Sequence, residues 1–230
     1  MFLGLVLLPA FFIRQKKAPA PFIPPGLLAV RSYRRGLLLG SINAGVNFGV
    51  MMAMPLMLGR VYGLDAGTIG LLLFPGALAA AVVGYGAGTF IDGKGPLPVM
   101  AAALTLTGSG LLLLSALAGR HPLWPPLFLV LTNAGYMCMQ PALAKWVSAS
   151  LPDGRTGIGM GVYSLNNFMS TALFGALVAR TLESGEHAVG SGVQSGIYGN
   201  VFLGLFLLVL IQLVVVLRMR PRASRGDSRR

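Results

Sequence analysis

The chain has 230 residues, of which 55% are hydrophobic and only 10% are charged, and its mean hydropathy is +0.75. Soluble domains carry about 25% charged residues, so this composition excludes a soluble protein and indicates an integral membrane protein. The net charge of +12 would suggest nucleic acid as the ligand of a soluble protein. Here the Lys and Arg residues lie outside the apolar segments, where membrane topology and anionic lipid explain them. We therefore expect a lipid bilayer, and no nucleic acid, around this chain.

The first 35 residues divide into two pieces. Residues 1–13 are apolar but too short to cross a hydrocarbon core of about 30 Å, and the positive charges follow them instead of preceding them as in a signal peptide. We interpret 1–13 as the remnant of a truncated apolar helix. Residues 14–35 are basic and rich in proline, which predicts a cytoplasmic connector and not a helix.

Six apolar segments follow, each long enough to span a membrane as a helix. They lie near 36–58, 67–91, 97–118, 124–146, 157–180 and 198–218. Gly and Ala residues are scattered through them, as close packing of membrane helices requires. The sequence thus predicts an all-α protein with a six-helix transmembrane bundle over 36–218. The connections are short except for a glycine-rich one over 184–197, and a basic cytoplasmic tail occupies 219–230.

The basic residues predict the orientation of the bundle. Fifteen of the 18 Lys and Arg residues fall on one side of the alternating topology, and only Arg60, Arg120 and Arg180 fall on the other. Cytoplasmic loops carry an excess of Lys and Arg. We therefore expect a multi-pass protein of the plasma membrane whose C-terminus is cytoplasmic.

A glycine-rich turn is predicted between the second and third spans. It contains the pattern Gly88-x-x-x-Asp92-x-Lys94-Gly95. We interpret these four residues as a conformational latch, because a carboxylate and an ammonium at a tight turn can bond to the ends of adjacent helices. The alternative is an ordinary solvated loop. Gly84 and Gly88, four residues apart, also predict a smooth stripe that a neighbouring backbone can approach closely.

This pattern resembles the Gly-x-x-x-Asp-(Arg/Lys)-x-Gly-(Arg/Lys) signature of major facilitator superfamily transporters. Three further stretches are similar to the C-terminal half of the fourteen-helix drug:proton antiporters, such as the tetracycline efflux proteins: Ala66-Gly67-Thr68-Ile69-Gly70, Phe74-Pro75-Gly76 and Gly157-Ile158-Gly159-Met160. The resemblance covers roughly residues 20–217. It implies half of a major facilitator fold that exports small amphipathic compounds, antibiotics among them. It also implies a partner, either an N-terminal transporter half or a second copy.

One position departs from that family. The antiporters carry a membrane-embedded acid in the helix after Gly-x-Gly-Met, and the ungapped equivalent here is Thr171, whose hydroxyl does not titrate in the working range. The six carboxylates all fall at predicted helix ends or in loops: Asp65, Asp92, Asp153, Glu183, Glu186 and Asp227. Uncoupled, differently coupled and inactive versions therefore stay open, and the sequence names neither the substrate nor a coupling ion.

Three sets of neutral polar residues each share one helix face, because their members are spaced by three and four. The sets are Asn43 and Asn47; Asn133, Tyr136 and Gln140; and Tyr163, Asn166, Asn167, Ser170 and Thr171. An amide in lipid is costly unless it is hydrogen-bonded, so these faces are expected to point inward. Either they join helices to one another, or they line a cavity that binds a mostly apolar small-molecule substrate.

The sequence does not predict an enzyme. No Ser-His-Asp, Cys-His or paired-carboxylate arrangement is placed for hydrolysis. One cysteine and two histidines in predicted loops predict no metal site, and no strand precedes the Gly157-x-Gly159-x-Gly161 stretch, so we expect no cofactor. Two interpretations remain: half of a transporter, or a transport-inactive remnant or partner-binding membrane subunit from a truncated or split gene.

Overall fold

The structure, a computed structural model, describes residues 25–117, 119–152, 154–186 and 191–219. Over these ranges it contains seven α-helices and no strand. They are α1 (Pro25–Ala29), α2 (Arg31–Tyr62), α3 (Ala66–Lys94), α4 (Pro96–Leu117), α5 (Trp124–Ala149), α6 (Thr156–Glu186) and α7 (Ser191–Arg218). Each of α2 to α7 contains a segment long and apolar enough to cross a membrane. The predicted all-α bundle of six spanning helices is thereby confirmed.

Two predicted connections are wrong in their extent. Residues 25–29 form α1 and α2 begins at Arg31, so most of 25–35 is helical and not a connector. Pro25 is compatible with this because it occupies the first position of a helix, where no backbone N–H is required. The glycine-rich stretch 184–197 is also shorter as a connection than predicted, since α6 continues to Glu186 and α7 begins at Ser191. In lipid, helical hydrogen bonds satisfy the backbone and outweigh the poor helix propensity of glycine.

The predicted helix remnant at 1–13 lies outside the described residues. So does the 219–230 tail, apart from Met219.

The helices pack around two central members, α2 and α5. α5 lies between α4 and α3, α2 packs against α6 and α7, and α7 also packs on α4 to close the bundle. α2 and α5 touch each other directly. The outer helices α3 and α6 are the least buried, with 6% and 22% of their spanning windows inside the bundle. Polar groups that face the interior therefore belong mostly to α2, α5 and the inner side of α6.

The helices α4 and α5 approach each other closely at two glycines. A Cβ added at Gly110 of α4 would overlap Thr132 and lie 3.0 Å from the Phe128 carbonyl oxygen. A Cβ added at Gly135 of α5 would overlap Thr107. Each helix thus presents a glycine to a threonine of the other, and the absence of both side chains lets the backbones touch.

The close approach predicted at Gly84 and Gly88 does not occur within the described part of the chain. A Cβ added at Gly88 would have no atom within 4 Å, and one at Gly84 would meet only Met137 Sδ at 3.9 Å. Both glycines lie on the exposed side of α3. The four-residue spacing placed both glycines on one face of α3, but it gave no information on whether another helix of this chain covers that face.

Polar contacts join the helix ends at the end of the bundle where α2 begins. The buried Tyr33 hydroxyl donates to the Gly159 carbonyl oxygen at 2.6 Å and so joins the beginnings of α2 and α6. At the same end, Lys145 Nζ of α5 donates to Asp92 Oδ1 of α3 at 2.6 Å. This end of the bundle therefore holds three junctions that were predicted to be cytoplasmic: the beginning of α2, the α3–α4 turn and the α5–α6 turn.

The opposite end is ordered by helix caps. Gly63 ends α2 in the left-handed conformation with φ of 66°, and Asp65 caps α3 by accepting hydrogen bonds from Thr68 N at 3.1 Å and Thr68 Oγ1 at 2.6 Å. The Thr68 side chain and backbone lower the pKa of Asp65, because both hydrogen bonds favour the carboxylate. The Gly119 N–H donates to the Tyr62 hydroxyl at 2.9 Å and holds the turn before α5 against α2.

Candidate substrate-binding site

Two of the three predicted polar sets meet between the central helices. Asn43 of α2 is buried, and its Nδ2 donates to Gln140 Oε1 of α5 at 3.4 Å. Tyr136 lies one turn before Gln140 on the same helix. Since an isolated amide is costly inside a membrane protein, this contact between two amides joins α2 to α5 at modest energetic cost.

The third set contacts α2 through Asn166. Asn166 Nδ2 donates to the Leu37 carbonyl oxygen at 3.0 Å and to Ser41 Oγ at 2.9 Å, and Ser41 Oγ also lies 3.1 Å from Asn166 Oδ1. Asn166 therefore serves as a link between α6 and α2. Ser41 was not among the predicted polar residues, because no other polar residue lies three or four positions from it.

Tyr163 and Asn167 lie together beside Gly40. A Cβ added at Gly40 would lie 2.6 Å from Tyr163 Cε2 and 2.7 Å from Asn167 Oδ1, so only glycine leaves room for both side chains. The Tyr163 hydroxyl and Asn167 Oδ1 are buried, and neither has a hydrogen-bond partner within the described ranges. The two groups are near one another but are not in hydrogen-bond geometry. They are polar groups that a small change in helix position, or a bound molecule, would satisfy.

Ser170 and Thr171 differ from the rest of their set. The Ser170 hydroxyl donates to the Asn166 carbonyl oxygen at 2.7 Å, and the Thr171 hydroxyl donates to the Asn167 carbonyl oxygen at 2.9 Å. Both hydroxyls are thus engaged by their own helix, which is common for Ser and Thr in membrane helices. The position at which the resembled antiporters carry an acid holds a neutral side chain bonded to its own backbone.

A cavity of about 340 Å³ lies between α2, α3 and α5. Asn47 and Asn133 contribute its polar groups, and its apolar lining includes Met51, Met54 and Pro55. Neither amide is hydrogen-bonded to another described residue. A volume of this size falls within the range of small-molecule pockets.

Gly76 of α3 makes the space for Asn133, because a Cβ there would lie 3.2 Å from Asn133 Nδ2. The polar sets therefore divide between the two interpretations left open by the sequence. Asn43, Gln140 and Asn166 bond helices to one another, whereas Asn47 and Asn133 line a cavity.

A further buried amide was missed by the sequence analysis. Gln212 of α7 is completely buried and donates from Nε2 to the Leu39 carbonyl oxygen of α2 at 2.7 Å, while its Oε1 has no partner among the described residues. It is a single polar residue in an apolar run, so no second polar residue at helical spacing marked it. Its hydrogen bond fixes α7 against α2 next to Gly40.

The predicted latch is arranged differently from the expectation. Asp92 lies in the last helical turn of α3 and not in a loop, and the turn is confined to Gly95, whose φ is 80°, before α4 begins at Pro96. The partner of Asp92 is Lys145, which the sequence analysis did not name. Lys94 makes no ion pair or hydrogen bond with another described residue. Whether the four residues act as a latch stays a prediction.

Six spanning helices with several amides in their interior are the architecture of a multi-pass membrane protein. The profile of the Major Facilitator Superfamily matches residues 1–176, more than half of the chain, and the chain belongs to that family. A protein of Escherichia coli (strain K12), the uncharacterized transporter YebQ, is 27% identical over 192 residues. The alignment covers 80% of this chain and 41% of YebQ, so the chain spans less than half the length of that relative.

Proposed function

We propose that this chain is one six-helix half of an exporter of small, mostly apolar compounds, and that a second six-helix unit completes it. That unit is either a separately encoded N-terminal half or a second copy of the chain. The observation that carries the proposal is the cavity between α2, α3 and α5, in which Asn47 and Asn133 have no hydrogen-bond partner among the described residues.

Energetics favour a covered cavity. Asn47 lies near the middle of α2, and each unsatisfied amide in contact with lipid costs roughly 1–2 kcal/mol or more. A second unit that covers the cavity removes this cost. The weak burial of α3 and α6, at 6% and 22% of their spanning windows, supports docking along these two helices. Transporters built from two repeats bind their substrates at such an interface near the bilayer midplane.

The lining supports an uncharged or weakly polar substrate. Apart from the two amides it is apolar, and Met51, whose side chain is 70% exposed, lies beside the buried Met54. Methionine adapts its shape to irregular partners, which suits a site for varied drug-like compounds. Thr171 supplies no titratable group, so we propose that any proton coupling resides in the second unit or is absent. We further propose that the protein lies in the plasma membrane with a cytoplasmic C-terminus.

The test is dye or drug flux in proteoliposomes. The purified 230-residue chain is reconstituted alone, and together with the part of YebQ that the alignment leaves uncovered. We expect the chain alone to be silent or to require a dimer, and flux to appear when the second unit is supplied. Asn47→Ala and Asn133→Ala should lower that flux, whereas the exposed amide variant Asn200→Ala should not.

Two outcomes would contradict the proposal. A monodisperse monomer that moves substrate against a gradient would show that no second unit is needed. Silence in every combination, with correct folding of all components, would favour the alternative of a transport-inactive, partner-binding membrane subunit.

A further inference from the structure

A second cavity, of about 420 Å³, lies between α3 and α4, with α5 beneath it. Its walls are mostly apolar and include Phe90, Ala102 and Leu106, and Lys94 stands at its rim. We propose that this groove binds an anionic phospholipid of the adjacent membrane leaflet. The lipid phosphate contacts Lys94, and one acyl chain lies along the apolar walls.

The groove results from the way three helices pack. α3 and α4 follow each other in the chain, yet they contact each other only over a short stretch, and both pack mainly on α5. The space between them is open towards the membrane and is closed from below by α5, where Cys138 lines it. Val99 of α4 is buried at its inner side. Such a channel along a helix pair suits a flexible hydrocarbon chain.

The charge at the rim is available to a ligand. The neighbouring carboxylate, Asp92, is bound to Lys145, and Lys94 makes no ion pair or hydrogen bond with another described residue. Cβ atoms added at Gly93 and Gly95 would have no neighbour within 4 Å, so the surroundings of Lys94 have room for a headgroup. The N-terminus of α4 begins next to it and has no acidic residue in its first turn, which adds to the positive potential.

The dimensions fit one lipid chain. From Pro98 at the rim to Leu106 the groove follows α4 for eight residues, about 12 Å at 1.5 Å per residue. One leaflet contributes about 15 Å of hydrocarbon. A soluble anion would contact Lys94 but not the apolar walls. A neutral apolar molecule would contact the walls but would not pair with the charge of Lys94. An anionic phospholipid uses both, and basic pockets between spanning helices are known to bind such headgroups.

The experiment uses the full chain in nanodiscs that contain phosphatidylglycerol or phosphatidylcholine with a photoactivatable diazirine in one acyl chain. Cross-linked peptides are identified by mass spectrometry. We expect phosphatidylglycerol to cross-link to the groove residues of α3, α4 and α5 more strongly than phosphatidylcholine does. Lys94→Gln should lower that cross-linking about five-fold, the contribution of one basic residue near an anionic surface, and Lys94→Arg should retain it.

A second pair of variants tests the apolar part of the groove. Ala102→Trp fills the groove and should abolish cross-linking there for both lipids. Ala116→Trp, an exposed alanine near the other end of α4, should change nothing. Equal cross-linking of the two lipids in the unmodified chain would mean that the groove holds ordinary annular lipid. That result, an unaltered signal in Lys94→Gln, or cross-links confined to other surfaces would overturn the proposal.

Discussion

Lys145 Nζ lies 2.6 Å from Asp92 Oδ1, so the carboxylate at the end of α3 is bound to α5 and not to Lys94, two residues away. Both side chains are well exposed, Lys145 by 48% and Asp92 by 75%. An exposed ion pair contributes about 0.2–1 kcal/mol to stability. Its main effect is therefore positional: it ties a weakly buried outer helix to a central one at the same end of the bundle where Tyr33 joins α2 to α6.

The first prediction concerns this ion pair. Asp92→Asn and Lys145→Gln should lower flux in the two-unit proteoliposomes to a similar degree and change the melting temperature little, because the pair is exposed. In phosphatidylcholine alone, Lys94→Gln distinguishes the two arrangements: unchanged flux assigns the latch to the Asp92–Lys145 pair, and an equal loss assigns it to the predicted turn that includes Lys94. The pH optimum of flux should not move in Asp92→Asn, since Asp92 lies at a helix end and away from the candidate cavity. A shifted pH profile, or equal loss in Lys94→Gln, would count against a latch made by this pair.

The fold was largely predictable because the length of an apolar segment reports directly on a spanning helix. Neighbours were harder to predict. The spacing of Asn43 and of Gln140 placed each on a face, but nothing in the sequence joined the two faces to each other. The Asp92–Lys145 contact could not be predicted for the same reason. Helical periodicity shows which residues of one helix share a face, but not which helix packs against that face.

Isolated polar residues were the other contacts that could not be predicted from the sequence. Ser41 and Gln212 have no partner at helical spacing, yet both make hydrogen bonds between helices. The glycines illustrate the converse case. Gly84 and Gly88 match a packing motif and lie exposed, whereas Gly110 and Gly135 lie where α4 and α5 touch. Which glycine is covered depends on the packing of α3, α4 and α5, and the sequence pattern does not contain that information.

The second prediction follows from the crossing of α4 and α5. Gly135→Ala should destabilise the purified protein by about 1–3 kcal/mol, because the added methyl group overlaps Thr107 and lies 2.6 Å from the Ala103 carbonyl oxygen. Gly88→Ala is the matched control, since its methyl group meets no atom within 4 Å and alanine is the better helix former. Thermal unfolding in detergent measures both. Equal destabilisation by the two variants would mean that the exposed face of α3 is packed in solution, for example against a second copy.

The third prediction tests the orientation given by the basic residues. Single cysteines at Arg120, in the turn between α4 and α5, and at Arg155, between α5 and α6, are introduced in a Cys138→Ala background. An impermeant maleimide should label Arg120→Cys on intact cells and should label Arg155→Cys only after permeabilisation. This prediction rests on the fifteen-to-three distribution of Lys and Arg between the two sides of the membrane. The reverse pattern would place the Asp92 end outside and would refute the orientation.

The last prediction concerns Thr171. If the neutral side chain at position 171 of α6 is what separates this chain from the proton-coupled antiporters that it resembles, Thr171→Asp should make flux depend on pH and Thr171→Asn should not. Below the pKa of the new carboxyl group the two variants carry a neutral side chain and should behave alike. As pH rises through that pKa, only Thr171→Asp gains a charge, so the difference between them should grow. Flux is measured with and without an imposed pH gradient, after both variants are checked for the same elution volume. Flux in the unmodified chain that already follows the gradient would locate the coupling group elsewhere and would remove the special role assigned to this position.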